Sequence, residues 1–352
     1  MKFDLGVNTG FAVNRFCEPS ELFHFIKKEL KIKNVQLSAD LLSPYFDDKL
    51  LSSQIRKFKK EIKKNNINIS SIFTGAYTRL NHLAHTDKDI QLYWIKWFKK
   101  LVNISSELEC PSIGSHFGIF SYKDNNSILL RKKRRNENIN NWHIVADFAK
   151  KRGLENILWE PMSISREQGE TINECKKLQR DVNYKSPLPF KICLDVDHGE
   201  LTSKNKKDFD PYSWLKVFAK EAKVIHLKQS LKDKGGHWPF IDKYNSIYNT
   251  SSGVSELPKP YIDFNKIVLT SNDYVNYNKN INDAETYLYP NNISNCRKNT
   301  MFIKYFNDYS QKAIRDMLSK NTYIDKNIIQ EKTEIISVIS GNENTRVRLI
   351  AV

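Results

Sequence analysis

The chain has no CxxC spacing, and its five cysteines (Cys17, Cys110, Cys175, Cys193 and Cys296) are an odd number without close pairs. That argues against a disulfide framework or a paired-cysteine zinc site and points to thiols in a reducing compartment. No apolar run approaches the ~18 residues needed to span a bilayer, so no membrane association is expected. The opening segment Met1-Lys-Phe-Asp-Leu-Gly6 enters a strand-like pattern without a basic region leading into an apolar stretch. No signal peptide is therefore expected, and the protein is expected to be soluble and cytoplasmic. Neither an internal repeat nor a coiled-coil heptad stands out. No GxGxxG follows the first strand-like run, which removes support from a dinucleotide-binding open sheet.

What is present fits a large α/β domain. The 352 residues are 40% apolar and 12% aromatic, enough for a sizeable core. They accommodate a barrel of about 250 residues with additions, or two ordinary domains. The net charge of +16 invites a nucleic-acid reading, but the lysines are spread along helical stretches among Asn and Ile. The densest cluster, Arg131-Lys-Lys-Arg-Arg135, has no interleaved aromatics and reads as a solvated helix face. No nucleic-acid partner is expected.

Strand-like and helix-like segments alternate up to about Ser230, which is the signature of βα units and a parallel sheet. Strands are predicted at Phe3–Thr9, Asn34–Ala39, Asn68–Thr74, Ser112–Phe117, Asn156–Met162, Lys191–Val196 and Val224–Gln229. Seven such units fit a (β/α)8 TIM barrel lacking its last; a doubly wound open sheet is the alternative. Ser20 is a plausible cap for a first helix. Asp87–Leu108 reads as a long amphipathic helix whose Tyr93, Trp94, Trp97 and Phe98 serve packing. The chain divides into 1–244, carrying strands one to seven, and a divergent C-terminal region, 245–352. In the latter, a helix at 302–320 and a strand at 333–340 are candidates for completing the barrel.

Three strands end in polar groups that a buried strand would not carry without a reason: Glu160, followed by the ladder-breaking Pro161; Asp195, with Asp197 and His198 after it; and His226 within Val224-Ile-His-Leu. In a parallel barrel all such ends open on one face, where catalysis sits. A Glu, an Asp and a His converging there form a divalent-metal donor set. Each residue alone also reads as structural: Glu160 as the partner of a basic group, His226 as a satisfied core histidine. Arg166 and Glu167 follow Glu160 in one loop. Lys228, Gln229 and Ser230, then Lys234-Gly-Gly-His237, supply cations, hydroxyls and free amides suited to a phosphate or carboxylate. His116 ends another strand. Five of the eight histidines, namely His82, His85, His116, His198 and His226, fall at or beyond strand ends or point inward.

The motifs GAYTRLNHLAH (75–85), GSHFGIF (114–120), LWEPMSISRE (158–167), CLDVDHG (193–199), VIHLKQS (224–230) and KGGHWPF (234–240) resemble the xylose-isomerase-like barrels of sugar-phosphate isomerases and epimerases. Within that family they are most similar to the D-erythrulose 1-phosphate 3-epimerases of erythritol catabolism. The resemblance implies a metal-dependent epimerase or isomerase of a ketose phosphate, with the sugar phosphate as its partner and room for a homo-oligomer. It also implies one divalent ion, Mn2+ ahead of Mg2+, Co2+ or Zn2+, held by Glu160, Asp195, His226 and a carboxylate from the eighth strand. Glu160 and Glu167 would be the catalytic carboxylates. His198, Arg166 and Glu167 would match the family's substrate-contacting positions. From their own placement in the sequence, His116, Lys228, Gln229, Ser230, Lys234 and His237 are expected as further substrate contacts. One departure is visible: if Thr333–Ser340 is the eighth strand, Ser337 stands where the family has glutamate, and Glu334 lies at the wrong end. A catalytically impaired barrel that keeps metal or sugar binding is therefore a second reading. A metal-dependent nuclease, motivated by the charge, is a third.

Overall fold

The computed structural model describes residues 3–195, 198–200, 202–227, 229–231, 235–238, 333–342 and 344–351. Seven strands appear where the alternation places them, each within two residues at either end: β1 (Phe3–Asn8), β2 (Asn34–Ser38), β3 (Asn68–Phe73), β4 (Ser112–His116), β5 (Asn156–Glu160), β6 (Phe190–Asp195) and β7 (Ala222–Leu227). All pair in parallel, each with the next. A short hairpin, β8 (Gln229–Leu231) and β9 (Gly235–Trp238), follows β7 directly. The wall then closes through β10 (Thr333–Asn342), parallel to β1, and β11 (Asn344–Ala351), antiparallel to both β10 and β7. The expectation of a TIM barrel holds, with an antiparallel strand intercalated at the seam.

Each strand presents one side to an outer shell and the other to the barrel interior. Val35, Leu37, Ile157, Ile192, Leu194 and Ile225 join the outer core with the helices. The interior carries a small separate cluster of Phe73, Leu158, Cys193 and Val224. Gly114 makes room for it: a Cβ there would lie 2.2 Å from the Phe73 ring and 2.9 Å from the Leu158 Cβ.

Seven helices fall among the described residues: α1 (Pro19–His24), α2 (Asp48–Asn65), α3 (Lys88–Glu107), α4 (Tyr122–Asn125), α5 (Ile128–Lys151), α6 (Ile172–Asn183) and α7 (Pro211–Phe218). None is long and apolar enough to cross a membrane. α3 begins one residue after Asp87, whose carboxylate accepts from the Asp89 amide at 2.8 Å. Trp94, Trp97 and Phe98 are buried against the core, whereas Tyr93 is exposed. α1 starts at Pro19 rather than after Ser20, because proline suits a first helical turn that has no use for its missing N–H. The segment 302–320 lies outside the described residues.

The basic cluster differs from its sequence reading. Lys132 and Lys133 are solvated, but Arg134 and Arg135 are buried. Arg131 pairs with Glu170 at 2.7 Å, Arg134 with Asp124 at 3.4 Å and with Glu137, and Arg135 with Glu174. Three of the five cations thus face inward from α5 onto acidic partners that lie outside the cluster in sequence. Arg131 and Arg135 anchor α5 to the segment that follows β5, and Arg134 ties it to α4.

Candidate functional site

The C-terminal ends of β5, β6 and β7 bring Glu160, Asp195 and His226 together, all buried. Asp195 and His226 are register partners on adjacent strands. His226 Nδ1 lies 3.4 Å from Glu160 Oε1 and 4.0 Å from Asp195 Oδ2. Cis donors around an ion with bonds of about 2.1 Å stand about 3 Å apart, so a modest contraction would close this set on one cation. His198 arrives from the loop after β6. Its Nδ1 lies 2.9 Å from the Pro161 carbonyl and 3.5 Å from Glu160 Oε1, and its Nε2 lies 3.6 Å from Asp195 Oδ2. Because a carbonyl only accepts, the Pro161 contact places a proton on Nδ1 and leaves Nε2 toward Asp195. Glu160, Asp195 and His198 form one potential metal-holding group, and Glu160, Cys193 and His226 another.

Sequence reasoning did not single out the groups behind His226. Its Nε2 lies 3.1 Å from Gln36 Oε1 and 3.2 Å from Cys193 Sγ. Gln36 Nε2 donates to Ser71 Oγ at 3.0 Å, while its Oε1 also accepts from Asn8 Nδ2 at 2.5 Å. The pattern assigns the amide oxygen to the His226 side. Nε2 therefore carries the proton, and Nδ1 offers its lone pair toward the carboxylates, the arrangement that outer partners impose on metal-binding histidines. The donor chemistry and the set tautomer fit a divalent cation. The signal for Gln36 was present in sequence: a primary amide between Val35 and Leu37 in a strand otherwise fit for burial.

The rim is stitched across loops. Asp40, after β2, accepts from the Thr78 amide at 2.8 Å, the Thr78 hydroxyl at 2.6 Å and the Tyr77 amide at 3.2 Å. Gly75 is required for this approach, since a Cβ there would lie 2.1 Å from the Asp40 carboxylate. Arg79, in the same loop, pairs with Glu167. Its carbonyl meets His116 Nε2 at 2.5 Å. Burial lowers the His116 pKa below its ordinary value, against the upward pull of the Arg79 carbonyl and the Glu167 and Glu160 carboxylates.

Of the other expected substrate contacts, Arg166 is exposed on the turn that carries Glu167. Gln229 and Ser230 fall in β8 and His237 in β9. Lys228, Lys234 and Asp197 lie outside the described residues. On the strands that close the barrel, the sole carboxylate among the described residues is Glu334, which pairs in register with Asp4 and with Val224, two residues below His226. Ser337 pairs with Val7 and with Leu349.

The sequence profile of the xylose isomerase-like TIM barrel matches residues 28–246, well over half of the chain. The chain belongs to that family. It is 38% identical over 247 residues to D-erythrulose 1-phosphate 3-epimerase of Brucella abortus, covering 70% of this chain and 80% of that protein. Among solved structures, a xylose isomerase homologue from Rhodospirillum rubrum superposes with a TM-score of 0.62 at 22% identity, covering 72% of this chain and 90% of its own. An L-ribulose 3-epimerase superposes with a TM-score of 0.54 at 13% identity, covering 91% and 97%. At those identities the structural likenesses speak for the fold alone. Within the family's barrel, the cluster of Glu160, Asp195 and His226 occupies the face on which such barrels carry their chemistry.

Proposed function

We propose that the protein is a carbohydrate epimerase that inverts the hydroxyl-bearing carbon next to the ketone of a short ketose phosphate, with D-erythrulose 1-phosphate as the substrate of first choice. The observation that carries this reading is the convergence of Glu160, Asp195 and His226 at one barrel mouth, in a chain 38% identical to an epimerase of that sugar phosphate. Glu160, Asp195 and His226 would hold a divalent cation, Mn2+ first, which when bound polarises the ketone and stabilises charge on its oxygen.

The chain's own groups then have distinct tasks. Glu160, buried beside His226, takes the proton from C3 of the sugar; general base catalysis of this kind contributes about 10²–10⁴-fold. His198, held through Nδ1 by the Pro161 carbonyl, orients the sugar oxygens above the carboxylates. Glu167 pairs with Arg79 and so holds the loop after β3 against the rim. Glu160 removes the proton, and inversion is completed by an acid that delivers a proton from the opposite face. In this reading Arg166, exposed on the same turn, is a substrate contact, and Lys228, Gln229, Ser230, Lys234 and His237 are the contacts for the phosphate.

A second reading has a specific observation behind it: among the described residues of β10 and β11 no carboxylate stands at the level of His226. Inversion needs a proton donor on the face opposite Glu160. Without one, the barrel binds the ketose phosphate and exchanges its C3 proton but returns it to the same face.

One experiment tests both readings. The Mn2+-loaded protein is incubated with D-erythrulose 1-phosphate in D2O and followed by NMR. Deuterium at C3 with formation of the epimer supports the epimerase. Deuterium at C3 with retained configuration supports the impaired barrel. Neither outcome on any four-carbon ketose phosphate, with metal bound, defeats both. Glu160→Gln should abolish exchange while the folded state persists.

A further inference from the structure

His116 ends β4; its place in the sequence predicts a substrate contact, and the catalytic steps above do not assign which part. It is 2% exposed. Its Nε2 donates to the Arg79 carbonyl, so Nδ1 carries the lone pair. Nδ1 is buried and has no hydrogen-bond partner among the described residues. A buried acceptor without a donor costs about 1–3 kcal/mol, and such a group calls for a ligand or an ordered water. Strand alternation sets where the ring points. Gly114, two residues earlier, faces the interior cluster of Phe73 and Leu158, so His116 shares that side. In register it stands beside Glu160. Burial also disfavours its protonated form, which keeps the ring an acceptor on this nitrogen.

We propose that His116 Nδ1 accepts a hydrogen bond from a substrate hydroxyl, the one on the carbon beyond the centre that Glu160 deprotonates, and so determines specificity for a polyol at that end. The identity of the sugar rests on the epimerase reading; the acceptor role rests on the geometry of His116 itself. Around the wall the order is β4, β5, β6, β7. With the reacting carbon at Glu160, the carbonyl side of the ketose falls toward Asp195 and His226 and the remaining carbon toward His116. A hydroxyl there supplies the missing donor, whereas a phosphate or carbonyl supplies none. The Arg79 carbonyl holds the ring in the required tautomer, and the Arg79–Glu167 pair holds Arg79.

The test compares D-erythrulose 1-phosphate with its analogue lacking the terminal hydroxyl, in the wild type and in His116→Phe. The variant should lose about 10–100-fold in kcat/KM on the parent sugar, the scale of one hydrogen bond to a buried acceptor. On the analogue, the wild type should already show that loss and the variant should add less than about 3-fold. Equal losses on both sugars in a variant of unchanged melting temperature would mean that His116 merely props the loop, and would overturn the proposal. The second arm needs no turnover and no successful variant. The 15N resonance of His116 Nδ1 in the wild type should move on titration with a four-carbon alditol phosphate, but not with the counterpart lacking the terminal hydroxyl. Binding of both without a shift overturns the proposal. Absence of turnover accompanied by the selective shift defeats the epimerase reading and leaves the acceptor standing.

Discussion

His226 and Gln36 stand 190 positions apart in sequence and meet inside the barrel, Nε2 lying 3.1 Å from Oε1. The contact decides which imidazole nitrogen faces Glu160 and Asp195. Replacing Gln36 with Leu removes the acceptor, frees the ring to rotate or change tautomer, and leaves the Asn8 amide without its partner. Metal affinity should fall about 10–100-fold, the usual cost of removing an outer partner. Isothermal titration with Mn2+ measures this; unchanged affinity in a folded variant would deny Gln36 its role.

Metal binding should also appear as stability. A ligand that binds only the folded state at 100 times its Kd adds about 2.7 kcal/mol. Mn2+ should therefore raise the melting temperature by several degrees, and a chelator should reverse the rise. Asp195→Ala should erase the rise. A rise that persists in that variant would place the ion elsewhere.

Gly114 lies where the Phe73 ring fills the barrel floor beneath the site, and an added methyl would overlap that ring at 2.2 Å. Gly114→Ala should destabilise the fold by about 1–3 kcal/mol through overpacking, read as a lower midpoint in urea. Phe73 also packs edge-on against His226, with ring centroids 6.2 Å apart. The same variant should therefore weaken metal binding, whereas a purely global destabilisation would leave the affinity of the folded fraction unchanged.

The ion pairs of α5 predict an acid limb. Burial raises the Glu174 carboxyl pKa, but Arg135 and then Arg131 outweigh it and hold it below its ordinary value of 4.5. A carboxylate with a depressed folded pKa contributes stability that is fully present above the unfolded value and is lost as pH falls through the folded one. Arg135→Met should thus cost about 1–3 kcal/mol at neutral pH, discounted for the partial exposure of Glu174. The difference from wild type should narrow as pH drops below about 4.5. A gap independent of pH would assign the loss to packing.

The family motifs run through contiguous strand ends, which is why Glu160, Asp195 and His226 were legible before any coordinates. A carboxylate or imidazole closing an apolar strand is conspicuous because nothing in a dry wall would solvate it. The partners were not legible in the same way. Gln36 and Cys193 lie in strands that read as core, and only the closure of the sheet shows that β2 and β6 both face His226. The basic run in α5 was misread because the acids that neutralise Arg131, Arg134 and Arg135 sit at Asp124, Glu137, Glu170 and Glu174, on other turns and segments.

By itself the sequence determined the βα alternation, the seven strand positions and the three polar strand ends, because hydrophobic periodicity and the placement of single charges are local properties of the chain. The tertiary structure alone decided which nitrogen of His226 faces the carboxylates, which loops lock His116, and that β11 enters antiparallel beside β7. Those outcomes depend on which strands become neighbours when the sheet closes, and on which buried donors then find acceptors. Such pairings join residues whose distance along the chain carries no information about their distance in space.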